Sequence, residues 1–126
     1  MRDLSIIIVT FNNEEILNKC LNSIIQSSIR PEQIELILVD NNSFDATVPT
    51  FLEFKKSNKL IHCQLIQNNY NIGFGAANNK GIRIARGRFL LLLNSDVILE
   101  KNTLEKQLQF MKEHDEYAVS TCKLML

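Results

Sequence analysis

Three features of this 126-residue sequence predict an α/β fold with a mostly parallel sheet. Short apolar runs alternate with longer segments of helical periodicity. Two of those runs, Ile6–Val9 and Leu90–Leu93, are apolar throughout, as suits strands buried on both faces. Four of the runs hand over directly to Asn, Asp, Ser, Thr or Gly, where open α/β sheets hold their ligands.

The predicted strands are Leu4–Val9, Glu35–Val39, Leu60–Ile66, Phe89–Leu93 and Tyr117–Leu124. In the first helix, Leu17, Leu21, Ile24 and Ile25 share one face, with Asn12 and Glu15 as a capping pair at its start. The second helix carries Val48, Phe51 and Leu52. It begins close to Asp45, because Pro49 is tolerated only in a first turn. Phe74, Ala77, Gly81, Ile82 and Ala85 form a stripe whose small members let a third helix lie close to the sheet. Asn102 and Glu105 repeat the capping pattern ahead of Leu104, Leu108 and Met111. No linker or repeat interrupts the pattern, so residues 1–126 read as one domain.

The chain is 45% hydrophobic and 22% charged, which suits a globular domain with a sizeable core. Fourteen basic residues balance fourteen acidic ones, so no net field draws in nucleic acid or an anionic membrane. Cys20, Cys63 and Cys122 lack paired spacing and lie in apolar runs. They read as reduced core thiols of a cytosolic protein. No leader pattern is visible at the N-terminus, and no apolar run approaches the roughly 20 residues that span a bilayer.

The polar strand ends carry the chemistry. Thr10-Phe11-Asn12-Asn13 follows the first strand and Asp40-Asn41-Asn42-Ser43 the second. Asn68 to Gly75 follows the third, and Asn94-Ser95-Asp96 the fourth. Turns and caps explain Asn12, Asp45 and Asn102. A turn needs no carboxylate, so Asp40 and Asp96 are expected to face a ligand. Asp40 suits a ribose hydroxyl or a base imide. Asp96 suits magnesium or manganese, which prefer hard oxygen donors and share their shell with substrate phosphates. Gly73 and Gly75 resemble a dinucleotide fingerprint, but Asn78 replaces its third glycine and the segment follows the third strand. His62 and His114 read as surface or strand-edge residues. The Arg83, Arg86 and Arg88 cluster reads as a helix end favoured by the dipole, with a phosphate role as its alternative.

Taken in order, Ser5 to Asn12, Val39 to Ser43, Asn71 to Asn78 and Leu93 to Asp96 resemble family 2 glycosyltransferases. The nearest likeness is to the rhamnosyltransferase-like and galactofuranosyltransferase-like branch. The resemblance covers essentially the whole chain. It implies a GT-A, Rossmann-like three-layer α/β/α fold and a nucleoside-diphosphate sugar donor, with UDP as the representative nucleotide. It also implies inverting transfer to the hydroxyl of a saccharide or lipid-linked acceptor, as in cell-wall or polysaccharide biosynthesis. The site of action implied is the cytoplasm, at the inner membrane face for a full-length enzyme.

By motif position, Thr10, Phe11 and Asn12 border the base, and Asp40 and Asn42 the nucleoside. Asn71 and Gly73 shape the wall near the sugar and diphosphate. Asn94 and Asp96 occupy the family's Asp-x-Asp signature, with Asp96 as ligand to Mn2+ or Mg2+. The family's catalytic base and acceptor site correspond to positions beyond Leu126, so the 126 residues alone are expected to transfer no sugar. The exposed edge implied by that truncation is expected to drive homo-oligomerisation. Two other readings stay open: a non-catalytic nucleotide-binding module of the same fold, and an NAD-binding domain.

Overall fold

Three consecutive isoleucines, Ile6 to Ile8, can all leave water only in a strand with packing partners on both faces. Such a strand, β1 (Leu4–Thr10), runs through the middle of the sheet, and all three side chains are fully buried. The computed structural model describes residues 2–121. In it β2 (Ile34–Asp40) and β4 (Phe89–Leu92) flank β1, and β3 (His62–Gln67) pairs with the far side of β2. The order is β3-β2-β1-β4, and every pairing is parallel.

Four helices cover this sheet unequally. The apolar faces of α1 (Glu14–Ile25), α2 (Thr47–Ser57) and α4 (Thr103–Glu113) pack on the side of Leu4, Ile6, Ile8, Leu36 and Leu38. The third helix, α3 (Phe74–Ile84), packs on the other side, against Ile7, Ile37 and Val39. Steps from β1 to β3 move one way across the sheet, and the step to β4 moves back past β1. A right-handed crossover must then change faces, which puts α3 opposite α1 and α2. The result is the three-layer α/β/α arrangement expected from the resemblance.

Several local expectations change. The first helix is capped by Asn13, with no side-chain cap bond, because Asn12 adopts a left-handed φ of +53° and turns its side chain to the next loop. At α4, Asn102 is the cap residue but makes no side-chain cap bond, and Glu105 accepts instead from the Ser28 hydroxyl at 2.6 Å. The second helix starts at Thr47, which places Pro49 in its first turn. On α3 the buried stripe is Ala77, Asn78 and Gly81, whereas Phe74 and Ile82 face solvent. A Cβ on Gly81 would stand 2.7 Å from Ile7 Cγ2, so glycine is what allows the helix this close.

The fifth expected strand does not form at residues 117–121. There the Tyr117 ring stacks on Phe110 of α4 at 5.7 Å, and its N–H bonds to the His114 carbonyl, folding the chain back on the helix. The remainder of that strand, and Cys122, lie outside the described residues. Cys20 and Cys63 are buried free thiols. Among the described residues no helix is long and apolar enough to cross a membrane.

Candidate functional site

Parallel strands end on the same side, so the polar segments after β1 to β4 gather along one edge of the sheet. The reversal in strand order falls between β1 and β4, the position that opens a crevice in sheets of this kind.

On the β1–β2 side the two loops are zipped together. Thr10 Oγ1 donates to Asp40 Oδ1 at 2.8 Å, and the Asn12 N–H donates to Ser43 Oγ at 2.8 Å. The Phe44 N–H donates to Asn12 Oδ1 at 3.0 Å, and the Asn13 N–H to Thr47 Oγ1 at 2.8 Å. Desolvation opposes ionisation of Asp45, but bonds accepted from the Thr47 hydroxyl and N–H and from the Glu14 N–H outweigh it. Its carboxyl is held below the usual carboxylate range.

Asp40, expected to face a ligand, is enclosed by the two loops. Its carboxylate is 1% exposed and is held by the Thr10 hydroxyl and by the N–H and hydroxyl of Ser43. Thr10 is equally buried. Both lie beneath the surface formed by Phe11, Asn12 and Asn42, the last with a left-handed φ of +69°.

A second network holds the turn after β3. Lys80 Nζ donates to Asn68 Oδ1 at 2.6 Å, and Asn68 Nδ2 donates to Asn41 Oδ1 at 2.9 Å. Asn41 Nδ2 donates to the Gly73 carbonyl at 3.2 Å, and the Gly73 N–H to Asn71 Oδ1 at 2.9 Å. Gly73 has φ +87°, where side chains are strained, and it leads straight into α3. Asn71 and Gly73 are thus exposed at the crevice edge and locked from behind. Asn41 and Asn68 belong to the polar clusters, yet the sequence assigns neither a role. Their pairing joins residues far apart in the chain, so no local signal could reveal it.

The segment after β4 rests on α1. Cys20 Sγ lies 3.8 Å from the Asn94 carbonyl, the Leu99 N–H donates to Ser23 Oγ at 3.0 Å, and the Ser28 N–H donates to the Lys101 carbonyl at 2.9 Å. Burial pushes the Cys20 thiol up to about 12, with the Asp96 charge adding to the shift, so it stays protonated beneath the turn. Asn94 and Asp96 are exposed, and the described residues make no hydrogen bond to the Asp96 carboxylate. No cluster of three or more metal-ligating His, Cys, Asp or Glu side chains occurs among the described residues. A cation at Asp96 would therefore draw most of its ligands from a bound molecule and water.

One depression borders the β1–β2 loops, and another lies at the opposite end of the strands. The first, of about 210 Å³, is lined by Asn12, Asn13, Glu14, Glu15 and Asp45, too acidic for an anionic ligand. The other, of about 510 Å³, is lined by His62, Gln64, Arg83 and Arg86 at the amino ends of the strands. That end is remote from the crevice, so these arginines do not reach a phosphate held there. Arg88 lies over the Phe89 ring at 5.2 Å.

A parallel sheet in order 3-2-1-4 between two helical layers, with polar turns along its carboxyl edge, defines the chain as a doubly wound, Rossmann-like α/β domain. Residues 5–123 match the model of Glycosyl transferase family 2. The chain belongs to that family. The poly(ribitol-phosphate) beta-glucosyltransferase of Bacillus spizizenii is 31% identical over 112 residues, 88% of this chain and 17% of that protein. The crystal structure of Staphylococcus aureus TarS in complex with UDP-GlcNAc superposes with a TM-score of 0.82 at 27% identity, over 90% of this chain and 32% of that one. The mannosyltransferase PcManGT of Pyrobaculum calidifontis, in complex with GDP-Man and Mn2+, shares the fold at TM-score 0.83 and 19% identity, over 88% of this chain and 33% of that one. The chain thus spans a third or less of the length of these proteins. None of the three is named for the rhamnosyl or galactofuranosyl branch.

Proposed function

We propose that this chain is the donor-binding part of an inverting glycosyltransferase, which takes a nucleoside-diphosphate sugar with a divalent metal and serves transfer to an acceptor hydroxyl. The observation that carries the reading is one line of exposed polar groups along the carboxyl edge of the sheet. It runs from Asn42 to Asn71 and Gly73 and on to Asn94 and Asp96, with the half-buried Asn12 and the Phe11 ring at its β1 end. An extended, anionic, many-acceptor ligand suits such a line better than a compact apolar one.

Within that reading, Phe11, Asn12 and Asn42 border the nucleoside, with Thr10 and Asp40 supporting them from below. The first amides of α3, immediately after Gly73, lack intrahelical partners and suit an anionic diphosphate. A cation fits at Asp96, whose carboxylate is exposed and uncommitted, with the Asn94 amide oxygen as a weaker neighbour. When bound, the cation would offset charge accumulating on the departing diphosphate. Asp96 is then a poor general base, because a cation stabilises its ionised form. Buried Asp40, saturated with donors, is no better placed to take a proton. By itself the chain is therefore expected to bind donor without transferring sugar. The acceptor is a saccharide or a lipid-linked molecule, reached from the cytoplasmic side.

Calorimetric titration of UDP and of GDP, with manganese and with chelator, tests the reading. Binding tightened by manganese in the wild type but not in Asp96→Ala supports it. Equal affinity with manganese and chelator removes the metal, and no binding of either nucleotide removes the donor site.

A further inference from the structure

Phe44 is 85% exposed, yet the chain around it is firmly held. Its own N–H donates to Asn12 Oδ1, the preceding Ser43 is clamped by Asp40, and the following Asp45 is tied to Thr47. A loose loop could fold such a ring away from water. Here the backbone is already ordered, and the ring stands out into solvent beside Asn12. Its neighbour is Phe11, itself 42% exposed, with ring centroids 6.0 Å apart and planes at 82°.

Two perpendicular rings that both reach solvent leave an open corner. A flat heterocycle fits there with its face against one ring and its edge against the other, the two geometries that aromatic pairs favour. The corner stands where β1 and β2 end, beside Asn12 and Asn42. Both asparagines hold left-handed backbone angles, a conformation non-glycine residues adopt at a cost and one that gathers at ligand sites. The side chain of Asn42 is exposed there and carries both a donor and an acceptor for a base edge.

We propose that Phe44 is a second aromatic wall of the nucleobase site, closing with Phe11 a corner in which the base of the donor nucleotide stacks. The inference rests on the nucleotide-sugar reading above and extends it to a residue outside the four motifs' assigned positions. Because the ring contributes little to the core, removing it tests binding without threatening the fold.

The chain contains no tryptophan, so Phe44→Trp introduces a single indole at the site. Uridine, UDP and GDP, and pyrophosphate with manganese, are titrated against wild type, Phe44→Ala and Phe44→Trp. Base stacking on an aromatic ring is worth enough that Phe44→Ala should weaken uridine and UDP alike by about tenfold. Pyrophosphate affinity and melting temperature should stay unchanged. Phe44→Trp should keep the affinity, with its fluorescence quenched by UDP and not by pyrophosphate. If wild type and Phe44→Ala bind UDP and GDP equally, the aromatic wall is overturned while the nucleotide reading stands. If the wild type binds no nucleoside or nucleotide, both are overturned.

Discussion

On the face carrying α1, α2 and α4, Ile6, Ile8, Leu36 and Leu38 meet Leu17, Leu21, Ile24 and Phe51, all fully buried. On the face carrying α3, Ile7, Ile37 and Val39 meet Ala77 and Gly81 at close range, with Ile72, Ile84 and Ala85 only partly buried around them, and Leu90 and Leu92 of β4 remain about half exposed. The first face is filled by large side chains interlocking across a normal helix-to-sheet distance. The second is sealed by bringing helix backbone down onto the sheet, which covers less width. Stability should therefore concentrate on the first face. The second should tolerate change at its margin but not where α3 comes closest to β1, at Gly81.

The largest effect is expected from Phe51→Ala. Emptying a fully buried aromatic site on the complete face should cost about 3–5 kcal/mol in denaturant unfolding. A loss under about 1 kcal/mol would show that this face is not the core of the molecule. Gly81→Val should come next. It forces side-chain atoms into Ile7 and Val39, an overpacking cost of about 1–3 kcal/mol, and a variant as stable as wild type would show that α3 is free to lift away.

The thiols on the complete face give a pH signature. Burial raises Cys20 to about 12 and Cys63 to about 11, above the ordinary value near 9. A folded-state value raised in this way stabilises the fold below pH 9, and that contribution is lost as pH climbs toward 11 and 12. Melting temperature should fall above pH 9, and Cys20→Ala should flatten part of the fall while lowering the plateau. An alkaline limb identical in the variant would exclude Cys20 as a source. The smallest effect is expected from Leu92→Thr, which puts a β-branched residue at a half-exposed edge position and should change stability by about 0.5 kcal/mol or less. Light scattering of the same variant should show less self-association than wild type if the open β4 edge recruits a second copy. A wild type that stays monomeric at high concentration would break that part of the comparison.

By itself the sequence determined whatever depends on near neighbours. Each of the four strands observed among the described residues is announced by its apolar run, with boundaries shifted by no more than two residues, because such a run can be read locally. Burial on both faces, expected also for Leu90–Leu93, holds for β1 and β2 but not for β4, whose Leu90 and Leu92 stay half exposed. Polar residues at the strand ends were equally legible, since residues adjoining a strand in the chain also adjoin it in space. Tertiary structure alone decided which of those residues reach the crevice. The sequence marks Asp40 as a strand-end carboxylate but not that Thr10 and Ser43 enclose it, and Asn41 had no visible role until Asn68 met it across the β2–β3 boundary. At residues 117–121 no strand forms, and Tyr117 stacks instead on Phe110, a contact that only the folded chain brings together. A side chain's direction is set by the hydrogen-bond and packing partners available to it. Those partners are supplied by strand order and helix placement, which no local pattern encodes.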